Sequence, residues 1–182
     1  MPITKIQAES MNLADTYDFT GTVSGVGGGG KIGQVIQSVV TTSSAFTTSH
    51  GTFIDLTGMN ASITPSATDS KVLVNVSIQF GTTSNSYCAV RLLRGSTNIA
   101  LGDGEGNRAR ATAFTSGNDI SKGHSTSFQF LDSPSTTSST NYKIQMHNGS
   151  SQTFRLNGEG ENYNGGGSHR LISTVTLMEI LA

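Results

Sequence analysis

The chain has 182 residues, enough for one well-buried core but not for two of ordinary size. Aliphatic and aromatic residues make up 34% and charged residues only 13%, with Ser, Thr, Gly and Asn abundant, a balance that favours strands and turns over helices. The formal net charge is -1 and the 11 Lys and Arg are placed singly, which excludes the basic footprint needed for nucleic acid or an anionic membrane surface.

The first ten residues, Met1 to Ser10, contain no unbroken apolar stretch of the kind a secretory leader needs. No later stretch approaches membrane-spanning length, so no membrane insertion is expected. Residues 1–24 carry apolar side chains at Ile3, Ile6, Met11, Leu13, Tyr17 and Phe19, with one helical turn expected near residues 8–14. Six anchors are too few for a core, so this segment is expected to be an attachment arm that folds only against a neighbour. Residues 25–32, which include four consecutive glycines, read as a linker, because glycine has no side chain to pack and loses the most backbone entropy on ordering. A single domain should occupy residues 33–182.

Within that domain apolar residues alternate with polar ones at period two. The clearest run is 71–80, where Val72, Val74, Val76, Ile78 and Phe80 share one face and Leu73 alone interrupts the other. Burying five such side chains is worth on the order of ten kcal/mol before entropy is subtracted. Further strands are predicted at 34–41, 52–56, 87–94, 97–101, 112–115, 126–131, 141–147, 153–156 and 170–181, each bounded by Gly, Ser, Asn or Asp. Arg94-Gly95-Ser96-Thr97 has the composition of a hairpin turn. About ten short strands in one domain imply an antiparallel sandwich or jelly roll. The last strand is apolar on both faces, with Leu171, Val175 and Leu177 on one and Ile172, Met178 and Ile180 on the other. Such a strand is central or covered twice, which makes Leu171, Val175 and Leu177 the candidate face for a second subunit.

Motifs for chemistry are weak throughout. Gly25 to Lys31 resembles a phosphate-binding loop, but Ile32 stands where a magnesium-binding hydroxyl belongs and a strand follows in place of a helix. Gly102 to Asn107 spaces oxygen side chains as a calcium loop does, yet Arg108 and Phe114 occupy the positions that need glycine and a bidentate glutamate. His50, His124, His147 and His169 lack metal-cage spacing and sit among loop-type residues. No nucleophile elbow or facing pair of carboxylates is evident. No catalytic, cofactor or metal site is therefore expected. Cys88, the only cysteine, lies in the apolar run Tyr87-Cys88-Ala89-Val90 and should be a buried hydrophobe. With Trp absent, sugar-stacking platforms after the linker would have to come from Tyr87, Tyr142 or Tyr163.

Several stretches carry a resemblance. Ile3 to Leu13 and Asp18 to Gly25 are similar to the segment that precedes the terminal domain of phage tail-fibre and related virion proteins. Gly33-Gln34-Val35-Ile36-Gln37, Ile63-Thr64-Pro65, Ser70-Lys71-Val72-Leu73-Val74, Leu93-Arg94-Gly95, Leu131-Asp132-Ser133-Pro134, Asn141-Tyr142-Lys143 and the ending Ser173 to Ile180 resemble the terminal domains themselves. The resemblance implies a trimeric jelly roll like the heads of the complement C1q and tumour-necrosis-factor group. It also implies a place on a bacteriophage virion assembled in the host cytoplasm, bound to other virion proteins through the arm. A tail-fibre or tail-tip protein contacting a host receptor or glycan ranks first. Because so short a segment precedes the domain here, a trimeric capsid decoration protein ranks second, followed by a carbohydrate-binding module, with an enzyme last.

Overall fold

The computed structural model describes residues 31–83, 86–117, 123–149 and 152–182. The arm residues Ile3, Ile6, Met11, Leu13, Tyr17 and Phe19, the turn near 8–14 and most of the linker lie outside this set. Eleven strands are present among the described residues: β1 Ile32–Val40, β2 Ser44–Thr47, β3 Ile54–Ile63, β4 Lys71–Thr82, β5 Ser86–Arg94, β6 Thr97–Ile99, β7 Ala113–Gly117, β8 His124–Asp132, β9 Thr140–Asn148, β10 Thr153–Leu156 and β11 Ser173–Ile180. All pairings are antiparallel, and the strands form two sheets.

In the first sheet β1, β11, β4 and β8 lie side by side, and β10 continues the line of β11 along the last residues of β4, with β2 on its other edge. In the second the order is β3, β9, β5, with β7 and β6 sharing the other edge of β5. The first and last strands of the domain pair with each other, and the chain crosses between the sheets at β2–β3, β3–β4, β4–β5, β7–β8, β8–β9 and β9–β10. That is the jelly roll expected from the sequence, with two layers enclosing one core.

The alternation in β4 places Val72, Val74, Val76, Ile78 and Phe80 at zero exposure, facing Met59, Val90, Leu92, Ile144 and Met146 from the opposite sheet. Cys88 is fully buried among them, and burial pushes its thiol up to about 12. The β5–β6 hairpin closes through Gly95-Ser96, with Arg94 opposite Thr97. Gly95 takes φ +60°, the left-handed region that a tight two-residue hairpin requires of its first central residue.

Several boundaries differ from the sequence expectation. β1 opens at Ile32, within the stretch read as linker, where pairing with Ile180 supplies backbone partners. β3 runs to Ile63, well past residue 56, because a bulge between Asp55 and Asn60 absorbs the break at Gly58 and restores the alternation. β2 was not anticipated. Its four residues are too few to show a period and are held by pairing with β10.

Polar groups close both ends of the sandwich. Tyr142, fully buried, donates its hydroxyl to Asp132 Oδ2 at 2.6 Å, and Arg94 Nη1 donates to both Asp132 oxygens at 3.1 and 2.9 Å and to the Ser133 carbonyl at 3.2 Å. This cluster ties β8 of one sheet to β5 and β9 of the other. Burial, and then the Asp132 carboxylate, raise the Tyr142 pKa. Elsewhere the carboxylate of Glu179, 1% exposed, accepts hydrogen bonds from Ser66 N, Ser66 Oγ and Gln34 Nε2 at 2.6, 2.7 and 2.7 Å. Asn157, buried at φ +56°, donates to the Val40 carbonyl at 2.6 Å and accepts from Ser173 Oγ at 2.6 Å.

Candidate binding surfaces

Two surfaces stand out, one on the outer face of each sheet. On the first sheet, strand register sets the outward side chains in rows that cross four strands. Val35, Met178, Leu73 and Leu131 make one row, Gln37, Thr176, Asn75 and Gln129 the next, and Val39, Thr174, Ser77 and Ser127 a third. Val35, Val39 and Leu131 are about half exposed, at 54%, 49% and 48%. Gln37 Nε2 donates to Thr176 Oγ1 at 2.8 Å within its row. Among the described residues of these rows and their flanking pairs, Lys71 is the single ionisable side chain. The exception in β4 alternation, Leu73, thus has a place in a continuous apolar row.

Leu171, Val175 and Leu177 fall elsewhere. Val175 and Leu177 are at zero exposure within the core of one chain, and Leu171 precedes β11 in a half-buried position. In β11, Met178, Thr174 and Thr176 share the outward side instead. The strand is covered on one face by its own sandwich, so the face left for a subunit contact is the Met178 face.

On the second sheet a concavity of about 510 Å³ opens beside the start of β5 and the end of β9. The β2–β3 connection brings His50 to one wall, and residues 107–111 of the β6–β7 connection form another. Tyr87 and Phe114, on neighbouring strands, place their ring centroids 5.3 Å apart at 32°. His147 meets Tyr87 edge-on at 6.0 Å and Phe53 at 4.5 Å, and the Arg91 guanidinium lies 3.7 Å from the centre of the Phe53 ring. Gly149 seats this arrangement. A Cβ there would stand 2.0 Å from Tyr87 Cζ, so any other residue would displace the ring.

The 102–111 segment is held by two of its own arginines and by Arg91 of β5. Arg110 Nε donates to the Gly102 carbonyl at 2.6 Å, Arg91 Nε donates to the Arg110 carbonyl at 2.8 Å, and Arg108 pairs with Glu105. These bonds give it a definite course over β5. His147 departs from the solvated position expected of all four histidines, being 3% exposed because Phe53 and the end of β5 cover it. Burial lowers its pKa.

Of the three tyrosines considered as platforms, Tyr87 lines the concavity, Tyr163 is 69% exposed on the 157–172 connection, and Tyr142 is committed to Asp132 in the interior. Sequence reasoning missed Phe114, 62% exposed, because its strand showed no alternation that would single out an outward aromatic. Among the described residues no three His, Cys, Asp or Glu side chains come together as a metal site.

No family model matches the chain, and no curated protein matches it. Among solved structures it is similar to one titled as that of infectious bursal disease virus Gt strain, at 15% identity and a TM-score of 0.48, with 82% of this chain and 38% of the other covered. A structure of the Gx strain of the same virus aligns at 12% identity and a TM-score of 0.38, covering 82% of this chain and 41% of that one. The chain thus spans about two fifths of the length of the chains it is similar to.

Proposed function

We propose that the chain is a non-enzymatic structural subunit of a phage virion, a tail-fibre or tail-tip component that works as a homotrimer. The observation that carries this reading is the nearly uncharged outer face that β1, β11, β4 and β8 form in the first sheet. Nine paired residues along β4 at ~3.3 Å each and four strands at ~4.8 Å give a face of roughly 570 Å². A standard interface uses about 800 Å² per partner, so this face supplies most of one subunit's share. Its amides and hydroxyls are donors and acceptors at once, and with Lys71 at its margin three copies can converge on it about a threefold axis without the repulsion a charged face would bring. The resemblance of the arm and domain to virion proteins supports the same reading, with attachment through Ile3, Ile6, Met11, Leu13, Tyr17 and Phe19. A capsid decoration protein shares this physics and is the second reading.

Light scattering during size exclusion should give about 57 kDa, three chains of 19.0 kDa. The double substitution Leu73→Lys and Met178→Lys should leave a folded 19 kDa species, since both side chains point away from the core. A trimer that survives both changes would place the contact elsewhere, and a wild-type monomer at micromolar concentration would remove the assembly altogether. Immunogold labelling of purified phage particles separates the two virion readings, with label at the tail tip expected. Label on the capsid surface would establish the decoration role instead.

A further inference from the structure

We infer that the concavity lined by Tyr87, Phe114 and His147 is a glycan site that takes a pyranose ring. This deepens the proposed attachment role by giving the particle surface a ligand class, and it rests on that role only for where the glycan is found.

About 510 Å³ falls within the ~300–1,000 Å³ of small-molecule sites. The walls offer apolar area from the Phe114 and Tyr87 rings and from the Ala89, Ala109 and Ala111 methyls, while the rim offers Asn107 and Arg108. A ligand that fits must therefore have one apolar face and a polar edge. A pyranose has that shape, with C–H bonds on a face and hydroxyls around the ring.

His147 backs the aromatic wall. Its imidazole, 3% exposed, lines the concavity and meets the Tyr87 ring edge-on at 6.0 Å and the Phe53 ring at 4.5 Å.

The rings are also positioned rather than loosely exposed. Tyr87 lies against Gly149, where a methyl would collide with it, and Gly149 N donates to the Tyr87 carbonyl at 3.0 Å. Phe114 keeps 62% of its surface open beside that fixed ring. An exposed aromatic held at the mouth of a concavity is available to a partner and does nothing for the core.

Saturation-transfer NMR on the full chain tests the site, with glucose, galactose, mannose, rhamnose, N-acetylglucosamine and glucuronic acid as probes and adenosine and indole as comparators. At least one pyranose should receive saturation from the aromatic protons. Phe114→Ala should weaken its binding about tenfold or more, as loss of an aromatic anchor does. Tyr163→Ala, a change to the other exposed aromatic, should leave the affinity unchanged. Failure of every sugar, binding that Phe114→Ala does not alter, or binding by adenosine or indole alone would each overturn the glycan site. The mass of the same samples is read separately, so a trimer without sugar binding sinks this inference and leaves the assembly standing.

Discussion

Replacing Asp132 by alanine is expected to destabilise the protein by about 3 kcal/mol or more, the range found when one member of a buried charged pair is removed. Three losses combine. The Tyr142 hydroxyl, in a residue with no exposure, loses its acceptor at 2.6 Å and cannot turn to water. Arg94, one third exposed, loses both contacts with the carboxylate and keeps only the Ser133 carbonyl. The tie between β8 and the opposite sheet is lost with them. A thermal melt should show a fall of about 6–12 °C, given about 2–4 °C per kcal/mol for a chain of this size. Tyr142→Phe removes a single hydrogen bond and leaves the Arg94–Asp132 pair intact, so its cost should be nearer 1 kcal/mol. Equal effects of the two changes, or a shift below about 2 °C for Asp132→Ala, would mean that the cluster does not act as a unit.

This cluster also shows how short pieces of the sequence that stand apart in the chain act together. Leu93-Arg94-Gly95, Leu131-Asp132-Ser133-Pro134 and Asn141-Tyr142-Lys143 lie far apart in the chain but contribute Arg94, Asp132 and Tyr142 to one site. Gly33-Gln34-Val35 and the ending that contains Glu179 meet at the second cluster, beside Ile63-Thr64-Pro65. Each piece looks unremarkable alone because its partner is brought in by the fold. Binary patterning revealed the strands, since alternation is local, and it placed the β4 core face residue by residue.

What stayed hidden depends on register. That Val35, Met178, Leu73 and Leu131 form a row requires knowing which strands neighbour which, and at what offset. Val175 and Leu177 looked equally suited to a subunit contact because an alternating strand does not announce which of two apolar faces meets its own core. The concavity is still less local. His50, Tyr87, Phe114 and His147 come from four places, three of them joined by the pairing of β7 and β9 with β5 and the fourth brought in by the β2–β3 connection. Gly149 would have been the best clue, but a glycine after a strand reads as an ordinary turn.

The second cluster yields a prediction with a defined pH signature. Three hydrogen bonds hold the Glu179 carboxyl at about 2, well below its ordinary 4.5, with the Gln34 amide the largest cause and the Ser66 hydroxyl and backbone next. A carboxylate with a depressed folded pKa stabilises the fold fully above its unfolded value and loses that contribution as pH falls toward the folded one. The window therefore runs from about 4.5 down to about 2. Glu179→Gln keeps the shape but sets an amide N–H against groups that are all donors, so at pH 7 it should cost about 2 kcal/mol, as expected for bonds to a charged acceptor. Because the variant has no proton to gain, the gap between the two proteins should shrink as the pH is lowered through that window. Denaturant titrations of both proteins at pH 7 and near pH 3 measure this directly. A gap that stays constant with pH would show that the Glu179 charge is not what the three donors hold in place.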